Sequence, residues 1–421
     1  MKIRIPYGRE TLTVHIPDQF NVDIIDVSHT PAASDPLSVV ESALENLLGE
    51  CSWSDFSGVG SVGIAVNDKT RPVPHHHLLP PLLERLSKMG ILDEAISFYI
   101  AVGAHPPMQP DEFSMTLPED IIQHFKVFSH DCEDDDGLVF LGDTSRGTPV
   151  WSNEGYLQSD LKIVVGNIEP HQFVGFSGGV KTAAIGLSGI QTIKNNHTLM
   201  TDPDSVMGTY ADNPARQDVE EIGLMMDVDL AVNAILNQDK QIVHAIAGDP
   251  VAVMESGIPT SRSICQVEVP QQYGLVIASP GGHPKDINIY QAQKGLVPAS
   301  RITRPGGTLI LAAACPEGSG SPHYENWMVG LGSNDAVMEK FKEEGFRIGP
   351  HKAFLFARDA RSINLVFCSE VAQDLARSLL LNPCTDPQRA VDEALTDLSP
   401  DDKIAVMPHA ATVVPALINE V

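Results

Sequence analysis

The chain has 421 residues, 43% of them hydrophobic, and 28 basic against 55 acidic side chains give a formal net charge of −27. This much apolar sequence fills more than one hydrophobic core, so about two or three domains are expected. A surface this acidic repels nucleic acid and anionic membranes, and no apolar run reaches the roughly 18 residues of a membrane span, so neither is an expected partner. An anionic substrate would need a basic pocket to offset this field.

The cysteines and the first residues of the chain indicate its compartment. Six cysteines are scattered without a C-x-x-C pair, which disfavours a disulfide framework or a zinc knuckle and indicates a reducing environment. Residues 1–18 alternate apolar and polar side chains, which predicts a pair of strands rather than a signal peptide. We therefore expect a cytoplasmic protein.

Short, mostly apolar runs followed by turn residues predict strands that are buried on both faces, as in parallel sheets. Helical periodicity between them predicts an α/β fold with mainly parallel sheets. In chain order the predicted strands are Val62–Val66, Phe98–Val102, Leu161–Val165, Leu275–Ala278, Thr308–Ala313, Ile363–Phe367 and Ile404–Met407. Helical patterns include Leu79–Met89, Asp218–Met226 and Asp335–Glu344.

The polar, proline-containing segment Gln266–Gln272 predicts a change of domain. We expect a first, cofactor-binding α/β domain over residues 1–270, completed by the C-terminal strand within 403–421, and a second α/β domain over residues 271–402. The active site is expected in the cleft between them. In open parallel sheets ligands bind beyond the carboxyl ends of strands, so residues that directly follow the predicted strands are the first candidates for chemistry.

Polar residues follow the first two predicted strands. Asp68 and Thr70 suit helix capping as well as a functional role, whereas the guanidinium of Arg71 suits the bidentate binding of a carboxylate or phosphate. His105 follows the second strand in the sequence G-A-H-P-P, where the two prolines stiffen the chain beyond it. An imidazole held in this way can serve as a general base.

The third strand leads into the densest group of candidates. His171 precedes a glycine-rich turn, Ser177-Gly178-Gly179, which is followed by Lys181. The turn is similar to a P-loop, but Val180 breaks the G-x-x-x-x-G-K-[ST] spacing. A cation at a helix start opposes the helix dipole, which favours a functional role for Lys181. His197, taken alone, indicates only a cap or a core residue.

Three other polar groups have simpler interpretations. The acidic run Cys132–Asp136 is typical of a solvated loop rather than of a metal site. Consecutive helical residues point in different directions, so His75–His77 cannot hold one metal together and is interpreted as mostly surface. Tyr290, Gln291 and Lys294 share one helical face, which is either a surface patch or the wall of a site.

Five motifs occur together in this chain, and each is only weakly specific by itself. The motifs are D-x-T-R-P at 68–72, G-x-H at 103–105, H-x-F-x-G-F-S-G-G-x-K at 171–181, T-I-x-x-N-H at 192–197 and N-I-Y-Q-A-x-K-G at 288–295. In this order and spacing they resemble the nickel-pincer nucleotide-dependent lactate racemase family of 2-hydroxy acid racemases and epimerases, over nearly the whole length.

The resemblance implies a bound cofactor. Lys181 would carry a covalently attached pyridinium-3,5-bisthiocarboxylic acid mononucleotide, in which two sulfurs and a ring carbon hold nickel. His197 would be the protein ligand of the nickel, and imidazole is a suitable donor. Other proteins would build this cofactor. The implied cofactor contacts are Asp68, Thr70, Ser177, Gly178 and Gly179.

The resemblance also implies a reaction. His105 and His171 would be the acid/base residues, one for each stereoisomer of a small 2-hydroxy acid. One of them removes the hydroxyl proton while hydride passes from C2 to the cofactor ring, which gives a transient 2-keto acid. Arg71 and Lys294 would bind the carboxylate, with Tyr290 and Gln291 nearby.

The sequence departs from the pattern of the lactate enzyme in three places. Pro106 stands where arginine is usual, and Val180 replaces a basic residue before Lys181. Near residues 349–356 the lactate enzyme has a bulky aromatic side chain beside the substrate methyl group, and His351 or Lys352 stands here. A polar side chain predicts a more polar substrate, such as a sugar acid or a hydroxy-dicarboxylate.

Two other functions explain part of the sequence. Lys181 could be the Schiff-base lysine of an aldolase or dehydratase, which leaves the five motifs unexplained. The fifteen histidines could bind nickel in a carrier protein without catalysis, although most of them are dispersed along the chain.

Overall fold

A computed structural model describes residues 1–399 and 402–418 of the chain. Its strands are β1 Lys2–Tyr7, β2 Glu10–His15, β3 Val22–Ile24, β4 Val62–Asn67, β5 Ile96–Ala101, β6 Lys126–Ser129, β7 Leu138–Asp143, β8 Pro149–Asn153, β9 Leu161–Asn167, β10 Pro170–His171, β11 Gly175–Phe176, β12 Leu230–Leu236, β13 Ile242–Gly248, β14 Gln266–Val269, β15 Tyr273–Ala278, β16 Thr303–Ala312, β17 Asn364–Cys368, β18 Asn382–Cys384, β19 Ile404–Met407 and β20 Val414–Leu417.

Helices alternate with many of these strands. They are α1 Pro36–Glu45, α2 His75–Lys88, α3 Glu119–His124, α4 Glu154–Leu157, α5 Lys181–Ala184, α6 Ile190–Thr198, α7 Pro214–Met225, α8 Pro250–Cys265, α9 Ile289–Ile302, α10 Pro322–Met328, α11 Asn334–Glu344, α12 Pro350–Ala360, α13 Gln373–Ser378 and α14 Pro387–Thr396.

The chain forms two compact units. The middle unit is His29–Ile264, and the split unit combines Met1–Ser28 with the described residues from Cys265 onward. Both units have α/β folds with mainly parallel sheets, as the apolar runs predict.

The middle unit is built on one six-stranded sheet in the order β13-β12-β9-β4-β5-β6. All neighbours are parallel except β13, which is antiparallel to β12. Alternate residues of each strand pack into two hydrophobic cores, one on each face of the sheet. In β4, Ile64 belongs to one core and Ala65 to the other. Because both faces are covered, β9 is buried along its whole length, which explains why most of its residues are apolar.

The order of these strands creates a crevice for a ligand. β4 lies between β5 and β9, so the chain passes from β4 to one side and later returns to the other. Helices that follow neighbouring strands therefore diverge at the carboxyl ends of β4 and β9, where open α/β sheets bind their ligands. The residues after β4, β5 and β9 meet at this edge.

The split unit has its own six-stranded sheet, in the order β18-β17-β16-β15-β19-β3, and every pair in it is parallel. β1 and β2 form an antiparallel pair, as the alternation in residues 1–18 predicts. β14 and β20 pair in parallel as a separate two-stranded sheet.

Two predicted features need correction. The strand at Ile404–Met407 does not complete the first domain, because it pairs with β15 on one side and β3 on the other. Residues 1–28 belong with it, whereas the prediction assigned residues 1–270 to one domain. The triplet His75–His77, interpreted as mostly surface, has one buried member: His75 is 1% exposed and its Nδ1 lies 2.8 Å from the Thr116 carbonyl oxygen.

Two features are absent from residues 1–399 and 402–418. No described helix has both the length and the apolar character of a membrane span. No cluster of three or more histidine, cysteine, aspartate or glutamate side chains in these ranges is arranged to hold a metal ion.

Candidate active site

A pocket with a free volume of about 630 Å³ opens in the middle unit at the carboxyl ends of β4, β5 and β9. It holds seven of the predicted site residues. Its lining consists of Asn67, Asp68, Arg71, Ala101, Val102, Gly103, His105, Asn167, Glu169, His171, Ser177, Gly178, Lys181, Thr182, Ile185 and Gly186.

Asp68 and His105 form a hydrogen-bonded pair in this pocket. His105 Nδ1 lies 2.8 Å from Asp68 Oδ2, and the Asp68 side chain is only 5% exposed. The other carboxylate oxygen accepts hydrogen bonds from the backbone N–H and the hydroxyl of Thr70, at 3.3 and 2.7 Å. Because a carboxylate only accepts, His105 Nδ1 carries the hydrogen, and Nε2 of the neutral ring is left with the lone pair of a base.

Burial raises the pKa of the Asp68 carboxyl, but the hydrogen bonds from His105 and Thr70 and the charge of Arg71 outweigh it, so the pKa is lowered. Asp68 is therefore an anion at neutral pH. The sequence predicted Asp68 and Thr70 as cofactor contacts. In the structure Asp68 lines the pocket and orients His105, while Thr70 supports Asp68 and is not part of the lining.

The glycine-rich turn depends on two backbone conformations that favour glycine. Gly178 and Gly179 have φ of 95° and 56°, and a Cβ on Gly178 would lie 2.7 Å from Ile168. The N–H of Gly179 donates to Asn233 Oδ1 at 2.6 Å. Gly178 and Ser177 line the pocket, whereas Gly179 supports the turn from behind the lining.

Arg216 of α7 braces the same turn, and sequence reasoning missed it. Its fully buried guanidinium donates to the carbonyl oxygens of Phe176 and Gly178 at 3.0 to 3.2 Å and pairs with Glu220 at 2.6 Å. The signal in the sequence was a charged residue among the apolar positions of a helix, next to Ala215. That signal does not say which loop the arginine contacts.

Lys181 begins α5 directly after this turn and lines the pocket. Burial, together with the positive charges of Arg71 and Arg216, lowers its pKa from 10.5 to about 7, against the opposing effect of Glu169. A large share of the amine is therefore neutral and nucleophilic near neutral pH. A lysine that is largely neutral is less disfavoured at the start of a helix, and the functional role of Lys181 stays a prediction.

Glu169 is a second pocket residue that sequence reasoning missed. Burial raises the pKa of its carboxyl, but Lys240, 3.1 Å away, and Arg71 lower it further, so the net shift is downward. Glu169 follows β9 just as Asp68 follows β4, and that position was the signal that could have identified it.

His171 and His197 both contact the ring of Phe173. The Phe173 ring centroid is 4.8 Å from that of His171 and 5.0 Å from that of His197, both in edge-on geometry. The Val174 N–H donates to His171 Nδ1 at 3.4 Å. His171 lines the pocket on β10, whereas His197, near the end of α6, is outside the lining and one ring away.

The remaining predicted residues lie in the split unit. Tyr290, Gln291 and Lys294 are on α9, as their spacing predicts. His351 is on α12 and 7% exposed; its Nδ1 lies 3.2 Å from the Arg347 carbonyl oxygen and its Nε2 lies 3.3 Å from the Tyr290 hydroxyl. Since a carbonyl oxygen only accepts, Nδ1 carries the hydrogen and Nε2 accepts from Tyr290.

His351 is neutral at physiological pH. Burial, aided by the charge of Lys352, lowers its pKa to about 3. The Lys352 ammonium is itself 1% exposed, donates to Gln293 Oε1 at 3.0 Å and lies 4.8 Å from the centre of the Tyr290 ring. The predicted polar position near residue 351 is thus a buried cluster of Tyr290, Gln293, His351 and Lys352.

Comparison with known proteins identifies the family. The model of the lactate racemase N-terminal domain matches residues 7–208, and that of the lactate racemase C-terminal domain matches residues 269–415. The chain belongs to the lactate racemase family. It is accordingly an isomerase of the racemase class.

Individual members of the family agree over the full length. The lactate racemase of Thermoanaerobacterium thermosaccharolyticum is 27% identical over 424 residues, with 98% of each chain covered. The lactate racemase of Lactiplantibacillus plantarum is 28% identical over 422 residues, covering 98% of this chain and 99% of the relative. These matches confirm the resemblance drawn from the five motifs.

Solved structures agree with the fold. The lactate racemase apoprotein from T. thermosaccharolyticum superposes with a TM-score of 0.91 at 26% identity, covering 99% of this chain and 100% of that one. A protein from Thermotoga maritima has a TM-score of 0.66 at 18% identity, covering 92% and 100%, which shows a shared fold alone.

Proposed function

We propose that this chain, a racemase of 2-hydroxy acids, inverts C2 by reversible hydride transfer to a nickel-pincer nucleotide that is attached to Lys181, by way of a 2-keto acid. The observation that carries the proposal is the arrangement in one pocket of an oriented base, His105, with a low-pKa amine, Lys181, and a guanidinium, Arg71.

The pocket suits the proposed cofactor in three respects. The neutral amine of Lys181 can form a covalent bond to a carboxyl-derived group. The turn at Gly178 brings backbone close to the pocket, as phosphate-binding turns do. Asn67 lines the pocket, and its buried Oδ1 has no hydrogen-bond partner among the described residues. This oxygen could accept a hydrogen bond from a bound group. His197 would supply an imidazole to nickel.

When bound, the cofactor would supply a reversible acceptor for the hydride of C2. The protein handles the proton. His105 accepts the hydroxyl proton of one stereoisomer at Nε2, and the Asp68 carboxylate stabilises the imidazolium that forms. Because the hydroxyl proton is removed while hydride leaves C2, no carbanion forms next to the carboxylate. Formation of such a carbanion would be the costly alternative.

Arg71 and His171 complete the proposed division of roles in the pocket. Arg71 presents an exposed guanidinium beside Lys181, which suits bidentate binding of the substrate carboxylate. It also supplies the local positive charge that an anionic substrate needs in a protein with a net charge of −27. His171 would be the acid/base residue for the other stereoisomer. Gln291 and Lys294 remain predicted substrate contacts.

We also propose a substrate more polar than lactate. The support is the buried cluster of Tyr290, His351 and Lys352, in which His351 and Lys352 stand near the position where the lactate enzyme of the family has a bulky aromatic side chain. Because both ring nitrogens of His351 have partners within the protein, its role would be to hold the Tyr290 hydroxyl rather than to bind substrate itself.

Intact-mass and metal analysis of active protein tests the proposed cofactor. We expect one nucleotide-sized adduct that maps to Lys181 and about one nickel per chain. An unmodified Lys181 in active protein would refute the proposal and favour the Schiff-base alternative if borohydride reduction then traps substrate on that residue. Nickel bound without any turnover would favour the carrier.

A screen of 2-hydroxy acids with cofactor-loaded protein tests the substrate proposal. Lactate, a hydroxy-dicarboxylate and a sugar acid are compared by chiral chromatography. We expect a higher kcat/KM for one of the polar acids. A clear preference for lactate would contradict the substrate proposal and leave the reaction type unaffected.

A further inference from the structure

A chain of hydrogen bonds connects buried residues to His197. The Asn196 side chain, which is fully buried, lies with Oδ1 3.2 Å from His197 Nδ1. Asn196 Nδ2 in turn donates to the Ala215 carbonyl oxygen at 3.0 Å and to Asp218 Oδ2 at 2.9 Å. Nothing in the sequence motif indicates this connection, since Asp218 lies in a different helix.

These contacts fix the orientation of the Asn196 amide. A carbonyl oxygen can only accept a hydrogen bond, so the side of Asn196 that faces Ala215 must be the NH₂ group. The amide oxygen then necessarily faces His197. Because that oxygen also only accepts, Nδ1 of His197 must carry the hydrogen, and in the neutral ring the lone pair is on Nε2.

Asp218 makes this orientation rigid. Its side chain is fully buried, and it accepts from the hydroxyls of Thr144 and Thr148 at 2.7 and 3.0 Å in addition to Asn196. The two threonines flank the turn between β7 and β8, so α6, α7 and that hairpin are joined through one carboxylate. His197, on a short helix, is thereby connected through Asn196 to the fully buried carboxylate of Asp218.

We propose that Asn196, held by Asp218, is a positioning residue that sets the tautomer of His197 and presents Nε2 as the metal-binding nitrogen. Metal-ligating histidines commonly donate their second N–H to an acceptor of this kind, which fixes the ring orientation and makes the ligand more basic. The part of the proposal that concerns nickel rests on the proposed function. The part that concerns the tautomer does not.

The tautomer is measured on the cofactor-free chain. Protein labelled with ¹⁵N-histidine is studied by NMR at a pH where the ring is neutral, and the His197 signals are assigned by their loss in His197→Gln. We expect a pyrrole-type Nδ1 and a pyridine-type Nε2 in the wild type, and a mixed or reversed pattern in Asn196→Leu. A wild-type ring with its hydrogen on Nε2 would overturn the proposal, even if Asn196→Leu fails to fold.

Asn195→Leu is the matched control. Asn195 is the neighbouring residue on the same helix, is exposed, and donates to the Gln191 carbonyl oxygen. We expect its His197 signals to match those of the wild type. An equal change in both variants would mean that the helix, and not the Asn196 contact, controls the ring.

Nickel retention is the second readout. Cofactor-loaded wild type, Asn196→Leu and Asn195→Leu are dialysed against a chelator, and nickel is quantified over time. Loss of such outer contacts commonly costs about 10–100-fold in metal affinity, so we expect Asn196→Leu alone to lose nickel faster by about that factor. Equal retention in all three would refute the metal-positioning role. Absence of nickel and of a Lys181 adduct in the active wild type would instead refute the proposed function and leave the tautomer result standing.

Discussion

Replacement of Asp68 by asparagine should remove the base function of His105 while preserving its position. The Thr70 N–H donates to Asp68 Oδ1, so the amide oxygen of the introduced asparagine must occupy that side. Its NH₂ group then faces His105 Nδ1 at the place of Oδ2 and donates to it. The imidazole is forced into the tautomer whose hydrogen is on Nε2, where it can no longer accept the hydroxyl proton.

The expected loss follows from the role of the group. A positioned general base contributes typically 10²–10⁴-fold to a rate, which corresponds to about 3–5 kcal/mol of activation free energy. Asp68 is only 5% exposed, so solvent offers little compensation for the lost charge. KM should change little, because the substrate carboxylate is assigned to Arg71 and not to His105.

The assay is steady-state kinetics of cofactor-loaded Asp68→Asn in both directions, followed by chiral chromatography. For a substrate whose two forms are mirror images, the equilibrium constant is one, so kcat/KM must fall by the same factor in both directions. Asp26→Asn is the matched control, because Asp26 Oδ2 lies 2.8 Å from His409 Nδ1 and Oδ1 accepts the Val27 N–H, outside the pocket. A loss below about threefold in Asp68→Asn, or an equal loss in the control, would refute the reasoning.

Three further predictions concern the turn and the lysine. In the cofactor-free chain, Lys181 releases its proton near pH 7 in the folded state and near pH 10.5 in the unfolded state. The unfolded state therefore binds more protons between these pH values, so the free energy of unfolding should rise with pH in this range. Denaturant unfolding of Lys181→Met should show a smaller rise. Arg216→Met removes the buried partner of Glu220 and of the carbonyl oxygens of the glycine-rich turn. We therefore expect the free energy of unfolding to fall by about 3–5 kcal/mol. A fall of less than about 1 kcal/mol would contradict the proposed support of the turn by Arg216. Gly178→Ala combines a left-handed φ with contacts at 2.7 and 3.0 Å, whereas Gly147→Ala has a φ of 80° and open space, so thermal melts should show the former to be more destabilised by about 1–3 kcal/mol.

Much of the pocket could be predicted because of how parallel sheets are built. The runs before Asp68, His105 and His171 are mostly apolar, which predicts buried parallel strands, and the carboxyl ends of such strands share one edge. Position along the chain was therefore sufficient to group these residues. The glycines and Lys181 followed from the same reasoning.

Other contacts depend on packing that periodicity does not encode. Arg216 reaches the carbonyl of Gly178 from a helix that begins 36 residues after it in sequence, at Pro214. The bond between Asp68 and His105 requires the loops after β4 and β5 to approach within 2.8 Å, which the sequence does not specify. Likewise, the run Ile404–Met407 predicts a buried strand, but only the pairing partners β15 and β3 decide which sheet it joins.

The fate of the hydrogen on C2 tests the proposed mechanism most directly. Cofactor-loaded protein is incubated in ordinary water with a single stereoisomer of its 2-hydroxy acid carrying deuterium at C2, and the product is analysed by mass spectrometry after partial conversion. Hydride that leaves and returns within the site does not exchange with solvent, so we expect the inverted product to retain its deuterium. Loss of deuterium to water at the rate of inversion would show that a base removes C2–H as a proton, and would contradict the hydride mechanism.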